Sequence, residues 1–248
     1  MDFSIVIPIY NESTKIAADV RAAAEFLGRH FSSGEIIVVD DGSTDDGAER
    51  ARVEGLPPNV RLTILHYHPN RGKGFAVRTG MLHSQGRWVM FADSGLCIPY
   101  EDALRGLSLI KAGACELAHG SRRLPNSIIV RPHLKIRRLI SKAFLRFLKV
   151  TMKVPCHLTD TQCGFKVYLG DAARELYALS IIDGFQFDVE IILRAVRKGY
   201  RILEFPVEWT ADPDSRLKLA KMPFRVLGEL YRIRRALRST PFRQSQGR

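Results

Sequence analysis

Apolar residues in the first half of the chain fall in short runs that stop abruptly at polar clusters. Ile5, Val6 and Ile7 lead into Pro8, Tyr10, Asn11 and Glu12. Ile36 to Val39 lead into Asp40, Asp41, Gly42, Ser43 and Thr44. Unbroken apolar runs of this length, bounded by turn residues, read as strands buried on both faces. The pattern predicts strands at 3–9, 35–40, 60–66, 87–92 and 115–119. It predicts helices at 13–30, 44–54, 73–84 and 100–112. Such alternation means an α/β fold, a parallel sheet with helices on both faces. In open sheets of this kind ligands bind outside the carboxyl ends of the strands, where the polar clusters stand.

The period changes after Gly120. Ile136, Leu139, Ile140, Ala143, Phe144, Phe147, Leu148 and Thr151 recur at helical spacing and predict a helix over 133–153. Lys135, Arg138, Lys142, Arg146, Lys149 and Lys153 form a basic stripe beside that face. The segment Asp160–Tyr168 turns back toward the site. Helices near 170–178 and 187–198 and a strand near 201–209 follow. A second basic amphipathic helix spans about Met222 to Leu237, and the tail after Ser239 is expected to be disordered.

Composition sharpens this picture at three points. The 248 residues suffice for one full core. The net charge of +12 is unevenly spread: residues 121–153 hold ten Lys or Arg and no acid, and 215–248 hold ten against Glu229 alone. The rest of the chain is acidic, so the basicity is two patches suited to phosphate groups. Cys97, Cys115, Cys156 and Cys163 fit neither a zinc nor a disulfide spacing, so reduced thiols and a cytoplasmic setting are expected. A strand beginning at Phe3 leaves no room for a signal peptide, and no run reaches the roughly 18 uncharged apolar residues of a membrane span. Aromatic residues do not alternate with the basic charges as a nucleic-acid platform requires, so no nucleic acid is expected.

The acid after the second strand suggests a dinucleotide site, but the matching GxGxxG after the first strand is absent. The turn is instead Pro8-Ile9-Tyr10-Asn11-Glu12, with a ring and polar groups suited to a base and ribose. Helix capping by Asp40 or Asp41 accounts for one such residue, not for the cluster.

PIYNE, VVDDGSTD, NRGKG and FAD, in this order, resemble the family 2 inverting glycosyltransferases. GSR at 120–122, DTQCGFK at 160–166, FDVE at 187–190 and the late VEWT and SRLKL resemble the dolichyl-phosphate glucosyl- and mannosyltransferase branch, with DTQCGFK on the glucosyl side. The resemblance implies a Rossmann-like GT-A domain over 1–220, with a nucleotide-binding half at 1–120 and an acceptor half at 121–220. The basic helix and tail at 221–248 follow it.

It implies roles residue by residue. Pro8, Tyr10, Asn11, Glu12, Asp40, Asp41 and Gly42 hold the nucleoside side, with Asp40 on the base. Asn70, Arg71, Gly72 and Lys73 form the phosphate-side loop, with Gly72 and Gly74 letting the backbone approach the ligand. Asp93 and Ser94 face the diphosphate, Asp93 through Mg²⁺ or Mn²⁺. Arg122, Arg131 and Arg216 meet donor or acceptor phosphates. Asp160 lies at the reaction centre, and Gln162 and Asp188 face the acceptor. One departure stands out: the Asp-x-Asp of the family reads Asp93-Ser94-Gly95, which puts metal dependence in doubt.

The expected reaction moves a hexose, glucose from UDP-glucose, to a polyprenyl phosphate with inversion. The expected location is peripheral, on the cytoplasmic face of a membrane, with the basic helices on anionic lipid and a homodimer as a further possibility. Two alternatives stand beside it. One is transfer to a soluble alcohol or protein acceptor, with Asp160 or Asp188 as base. The other is a nucleotide-sugar-binding protein of weak activity, because Gly95 replaces a ligand.

Overall fold

A computed structural model describes residues 1–131, 135–211 and 222–238, with the backbone alone at 135–138 and 222–224. Arg216 and the tail after Ser239 lie outside the described residues. The chain runs β1 (Phe3–Ile9), α1 (Ile16–His30), β2 (Gly34–Asp40), α2 (Gly47–Arg50), β3 (Val60–His66), α3 (Lys73–His83) and β4 (Trp88–Ala92). A 3-10 turn at Tyr100–Asp102 leads into α4 (Ala103–Lys111). Then come β5 (Leu117–Ser121), β6 (Ile128–Arg131), α5 (Lys135–Met152), β7 (Phe165–Leu169), α6 (Gly170–Ala178), α7 (Phe187–Lys198), β8 (Ile202–Pro206), β9 (Glu208–Thr210) and α8 (Met222–Arg238).

Seven strands form one sheet in the order β3-β2-β1-β4-β7-β5-β8. β7 runs antiparallel to both of its neighbours, while β1, β2, β3 and β4 are mutually parallel. The chain leaves β1 toward β2 on one side and reaches β4 on the other. This reversal opens a crevice at the carboxyl ends of β1, β2 and β4. Alternate side chains along each strand feed two cores. Ile5, Ile7, Ile36, Val38 and Met90 pack with Phe26 and Leu27 of α1 and Leu107 of α4. Val6, Ile37, Val39 and Phe91 pack with Val77 of α3, Leu176 of α6 and Phe187 of α7. Burial on both faces explains why these strands read as continuous apolar runs.

Three expectations need correction. The helix expected at 44–54 shrinks to α2, because Ser43, Thr44 and Asp45 bond across to the β1 loop instead of starting a helix. The strand expected at 201–209 divides at Val207, where the chain leaves β8 and joins β6 in a separate two-stranded ribbon. Pro206 ends β8, since it has no N–H to carry the ladder further. The strand expected at 115–119 is displaced to Leu117–Ser121. The helix at 133–153 forms as α5, but its apolar face is not all covered: Leu148 is buried, while Leu139, Ile140, Phe147 and Val150 are exposed.

Candidate active site

At the ends of β1 and β2 the polar clusters bond mainly to each other. Asn11 turns the backbone with φ +52°, donates its N–H to Ser43 Oγ at 2.8 Å and accepts the Thr44 N–H on Oδ1 at 2.7 Å. Ser13 donates its N–H to Asp45 Oδ2 at 3.0 Å. Asp40 is buried; its Oδ1 accepts the Ser43 N–H at 2.9 Å and the Ser43 hydroxyl, and its Oδ2 lies 2.9 Å from His66 Nδ1. Tyr10, 40% exposed, precedes Asn11 in this turn, and Glu12 pairs with Lys15 at 3.6 Å.

Asp41 is a clamp. Its two oxygens accept Tyr67 Oη–H, Asn70 Nδ2–H and the backbone N–H groups of Arg71 and Gly72, all at 2.8 Å. Burial raises the Tyr67 hydroxyl pKa above its usual value, and the hydrogen bond and charge of Asp41 raise it further. Gly42 adopts φ +72°, and a Cβ there would lie 2.7 Å from the Asn70 nitrogen. Gly72 and Gly74 also have a packing reason. A Cβ on either would stand 2.5 Å from a carbonyl oxygen of the 182–183 segment, so these glycines let the start of α3 pack on protein.

Across the crevice the polar groups are charged. Lys73, the first residue of α3, places Nζ 2.6 Å from Asp93 Oδ1 at the end of β4. Burial alone would lower the lysine pKa, but Asp93 and Asp188 outweigh it and hold the ammonium charged. Asp93 donates its N–H to Gly164 O at 2.8 Å, and a Cβ on Gly164 would fall 2.1 Å from Asp93 Oδ2. Ser94, half-buried, continues the turn to Gly95. Arg122, just past β5, forks onto Asp160: Nε reaches Oδ2 at 2.6 Å and Nη2 reaches Oδ1 at 2.8 Å. The Trp209 ring of β9 lies under its guanidinium, 5.3 Å from the centroid. Asp160 is 2% exposed, and burial would raise it. The charge and hydrogen bonds of Arg122 prevail and keep its carboxyl below the usual range. Glu204 of β8 anchors this turn by accepting the Thr159 and Asp160 N–H groups.

Asp188, in the first turn of α7, accepts from the buried Lys166 Nζ at 2.7 Å. Its carboxyl is raised by burial, with Lys166 and Lys73 opposing. The Gln162 Nε2 is buried with no hydrogen-bond partner among the described residues. Arg131 stands exposed at the end of β6. The structure therefore brings together Lys73, Asp93, Arg122, Asp160 and Asp188 of the expected residues, with Arg131 on the neighbouring ribbon.

One residue escaped the sequence reading. Asp19 of α1 is fully buried and accepts the Gly95 N–H at 2.7 Å and the Leu96 N–H at 3.0 Å. Burial pushes its pKa up to about 6 against the two backbone bonds. Its signal was an acid on the apolar face of α1, in phase with Ile16, Val20 and Ala23.

A divalent cation asks for several oxygen ligands. The motif here supplies Asp93, which already carries Lys73. Position 95 has no side chain, and its N–H turns away to Asp19. No group of three His, Cys, Asp or Glu side chains stands together among the described residues. Among the described residues the motif thus offers a divalent cation one carboxylate, Asp93, in place of the two of the family.

Comparison with known proteins places this geometry. The model of "Glycosyl transferase family 2" matches residues 4–177. The dolichyl-phosphate beta-glucosyltransferase of Saccharomyces cerevisiae is 33% identical over 94% of this chain and 74% of its own length. That of Dictyostelium discoideum is 31% identical over 93% and 73%. Glucosyl-3-phosphoglycerate synthase from Mycobacterium tuberculosis, solved with Mn²⁺, UDP and glucosyl-3-phosphoglycerate, superposes with a TM-score of 0.67 at 18% identity, covering 96% of this chain and 79% of that one. Mannosyl-3-phosphoglycerate synthase from Rubrobacter xylanophilus gives 0.69 at 16% identity, covering 100% and 79%. With a mostly parallel sheet, a crevice at its reversal and these relatives, the chain belongs to glycosyl transferase family 2 and is a glycosyltransferase of the GT-A fold.

Proposed function

We propose that this chain transfers glucose from UDP-glucose to a polyprenyl phosphate, with inversion, at a membrane surface. The dolichyl-phosphate beta-glucosyltransferases among its relatives support the sugar and the acceptor class. The observation that carries the acceptor is the state of the carboxylates. Asp160 is locked to Arg122 and Asp188 to Lys166. An alcohol acceptor needs a free base near neutral pH. A phosphate monoester, with its second pKa at about 6, arrives already ionised and needs none.

In this reading Pro8, Tyr10, Asn11, Glu12 and Asp40 border the nucleoside, while Asp41, Gly42 and Asn70 shape the loop that presents Lys73. Lys73 and Ser94 meet the diphosphate, with Asp93 as the partner that Lys73 exchanges. Arg122 and Asp160 frame the reaction centre. Gln162, Asp188, Arg131 and Arg216 line the acceptor side. A phosphate oxygen of the acceptor attacks the anomeric carbon opposite the leaving group. The new C1–O bond forms as the C1–O bond to UDP breaks, and UDP departs with the bonding pair. Cations fixed before the reaction stabilise that departing charge.

The exposed Leu139, Ile140, Phe147 and Val150 of α5, beside Lys142, Arg146 and Lys153, suit the headgroup region of an anionic membrane. No helix among the described residues is long and apolar enough to cross a bilayer. The test is to incubate the protein with labelled UDP-glucose and vesicles carrying polyprenyl phosphate, then extract the lipid. The expected product is a lipid that releases glucose in mild acid. Absence of any lipid-linked sugar, from UDP-glucose or another common nucleotide sugar, removes the reading.

A further inference from the structure

We infer that in this chain Lys73, rather than a divalent cation held by the protein, neutralises the diphosphate of the donor, so that nucleotide binding does not require a metal. The inference rests on the reading of the crevice as a nucleotide-sugar site and adds how that site meets the charge.

Three observations carry it. First, the position that should supply the second carboxylate is Gly95, and its backbone is committed elsewhere. Gly95 has φ +100° and Leu96 φ +49°, and the N–H groups of both end on the buried carboxylate of Asp19. The turn is thereby drawn back onto α1. Second, the Asp93 carboxylate already holds a cation. Oδ1 faces the Lys73 ammonium at 2.6 Å, and the carboxylate packs so closely on Gly164 that a Cβ there would stand 2.1 Å from Oδ2. A divalent ion on this carboxylate would sit beside an ammonium group, and like charges at such range repel strongly in a half-buried site. Third, Lys73 is the cation built for exchange. Arg122 is held by a two-bond fork and Lys166 is fully buried under Asp188, whereas Lys73 is a single point charge on a flexible stem with one carboxylate contact. An arriving diphosphate offers Lys73 more negative charge than Asp93 does, at the N-terminus of α3.

The experiment is calorimetric titration of the full chain with UDP, and with GDP in parallel, in excess EDTA and in excess MnCl₂. The bound nucleotide is expected to show Kd values within about threefold of each other in the two buffers. Lys73→Met is expected to weaken binding by about thirtyfold in both, the loss of one charge-assisted contact. Asp93→Asn guards against a Lys73 variant that fails to fold: its affinity is expected to shift by the same factor with and without metal. Tightening of wild-type binding by tenfold or more in MnCl₂ overturns the inference and leaves the nucleotide-sugar reading standing. So does a loss in Asp93→Asn confined to MnCl₂, which marks a metal ligand. No binding of either nucleotide in either buffer overturns both.

Discussion

At the end of β2, Asp41 receives four neutral donors, all from the loop that it shapes. Across the crevice Asp93 and Asp160 each face a cation, Lys73 and Arg122. Both sites give their carboxylates partners across the fold. The difference lies in what a ligand can displace. A carboxylate filled by backbone and hydroxyl donors fixes the position of its surroundings and has nothing to exchange. A carboxylate paired with a lysine holds that cation in reserve, and an incoming phosphate can take it. In the proposed reading the first side is scaffold for the nucleoside half, and the second supplies the cations that meet the phosphates.

The largest expected effect breaks the charged side. Asp160→Ala leaves the Arg122 guanidinium largely desolvated without its partner. Removing one member of a buried pair costs about 3–5 kcal/mol, and partial exposure of Arg122 places this case near the lower end. The midpoint of urea unfolding, read at unchanged slope, checks it. A midpoint that stays put means the pair is solvated and not a buried ion pair.

Next comes pH. Asp19 is raised from 3.8 to about 6 in the folded protein. The native state therefore binds the proton more tightly, and this group's contribution to stability falls as pH rises from about 4 to about 6. The drop, relative to Asp19→Asn over the same range, is about 3 kcal/mol for a shift of this size. Asp160, lowered by Arg122, acts in the opposite sense: its contribution is present above the ordinary carboxylate range and is lost as pH falls below it. Unfolding curves of the two proteins that stay parallel through pH 4–6 would contradict the burial of Asp19.

On the scaffold side, Asp41→Asn replaces an acceptor by a donor and strands part of the four-donor set. A cost of about 2 kcal/mol follows. Faster amide exchange at Arg71 and Gly72 is the specific readout, since both N–H groups end on Asp41. The smallest effect concerns α5. Lys142→Gln should weaken sedimentation with anionic vesicles by about 1 kcal/mol while leaving UDP affinity unchanged.

The sequence made the scaffold side readable because its signals are local. Apolar runs ending in Asp40-Asp41-Gly42 and the Asn70-to-Gly74 stretch announce strand ends and a loop, and the structure joins them. Which of the paired acids would be scaffold was not visible, because the donors to Asp41 come from residues 26 to 31 positions away. The charged side was legible as residue types but not as pairs. Nothing in DTQCGFK says that Asp160 meets Arg122 while Lys166 meets Asp188; the antiparallel insertion of β7 between β4 and β5 decides that. The separate ribbon of β6 and β9 was missed for a related reason: its strands are four and three residues long and pair across a wide gap in sequence.

The most direct test of the account compares two acceptors of equal chain length, a polyprenyl phosphate and the corresponding polyprenol, in the same vesicles with UDP-glucose. The account predicts transfer to the phosphate alone, because the two expected bases, Asp160 and Asp188, are committed to Arg122 and Lys166. Comparable transfer to the polyprenol would contradict it.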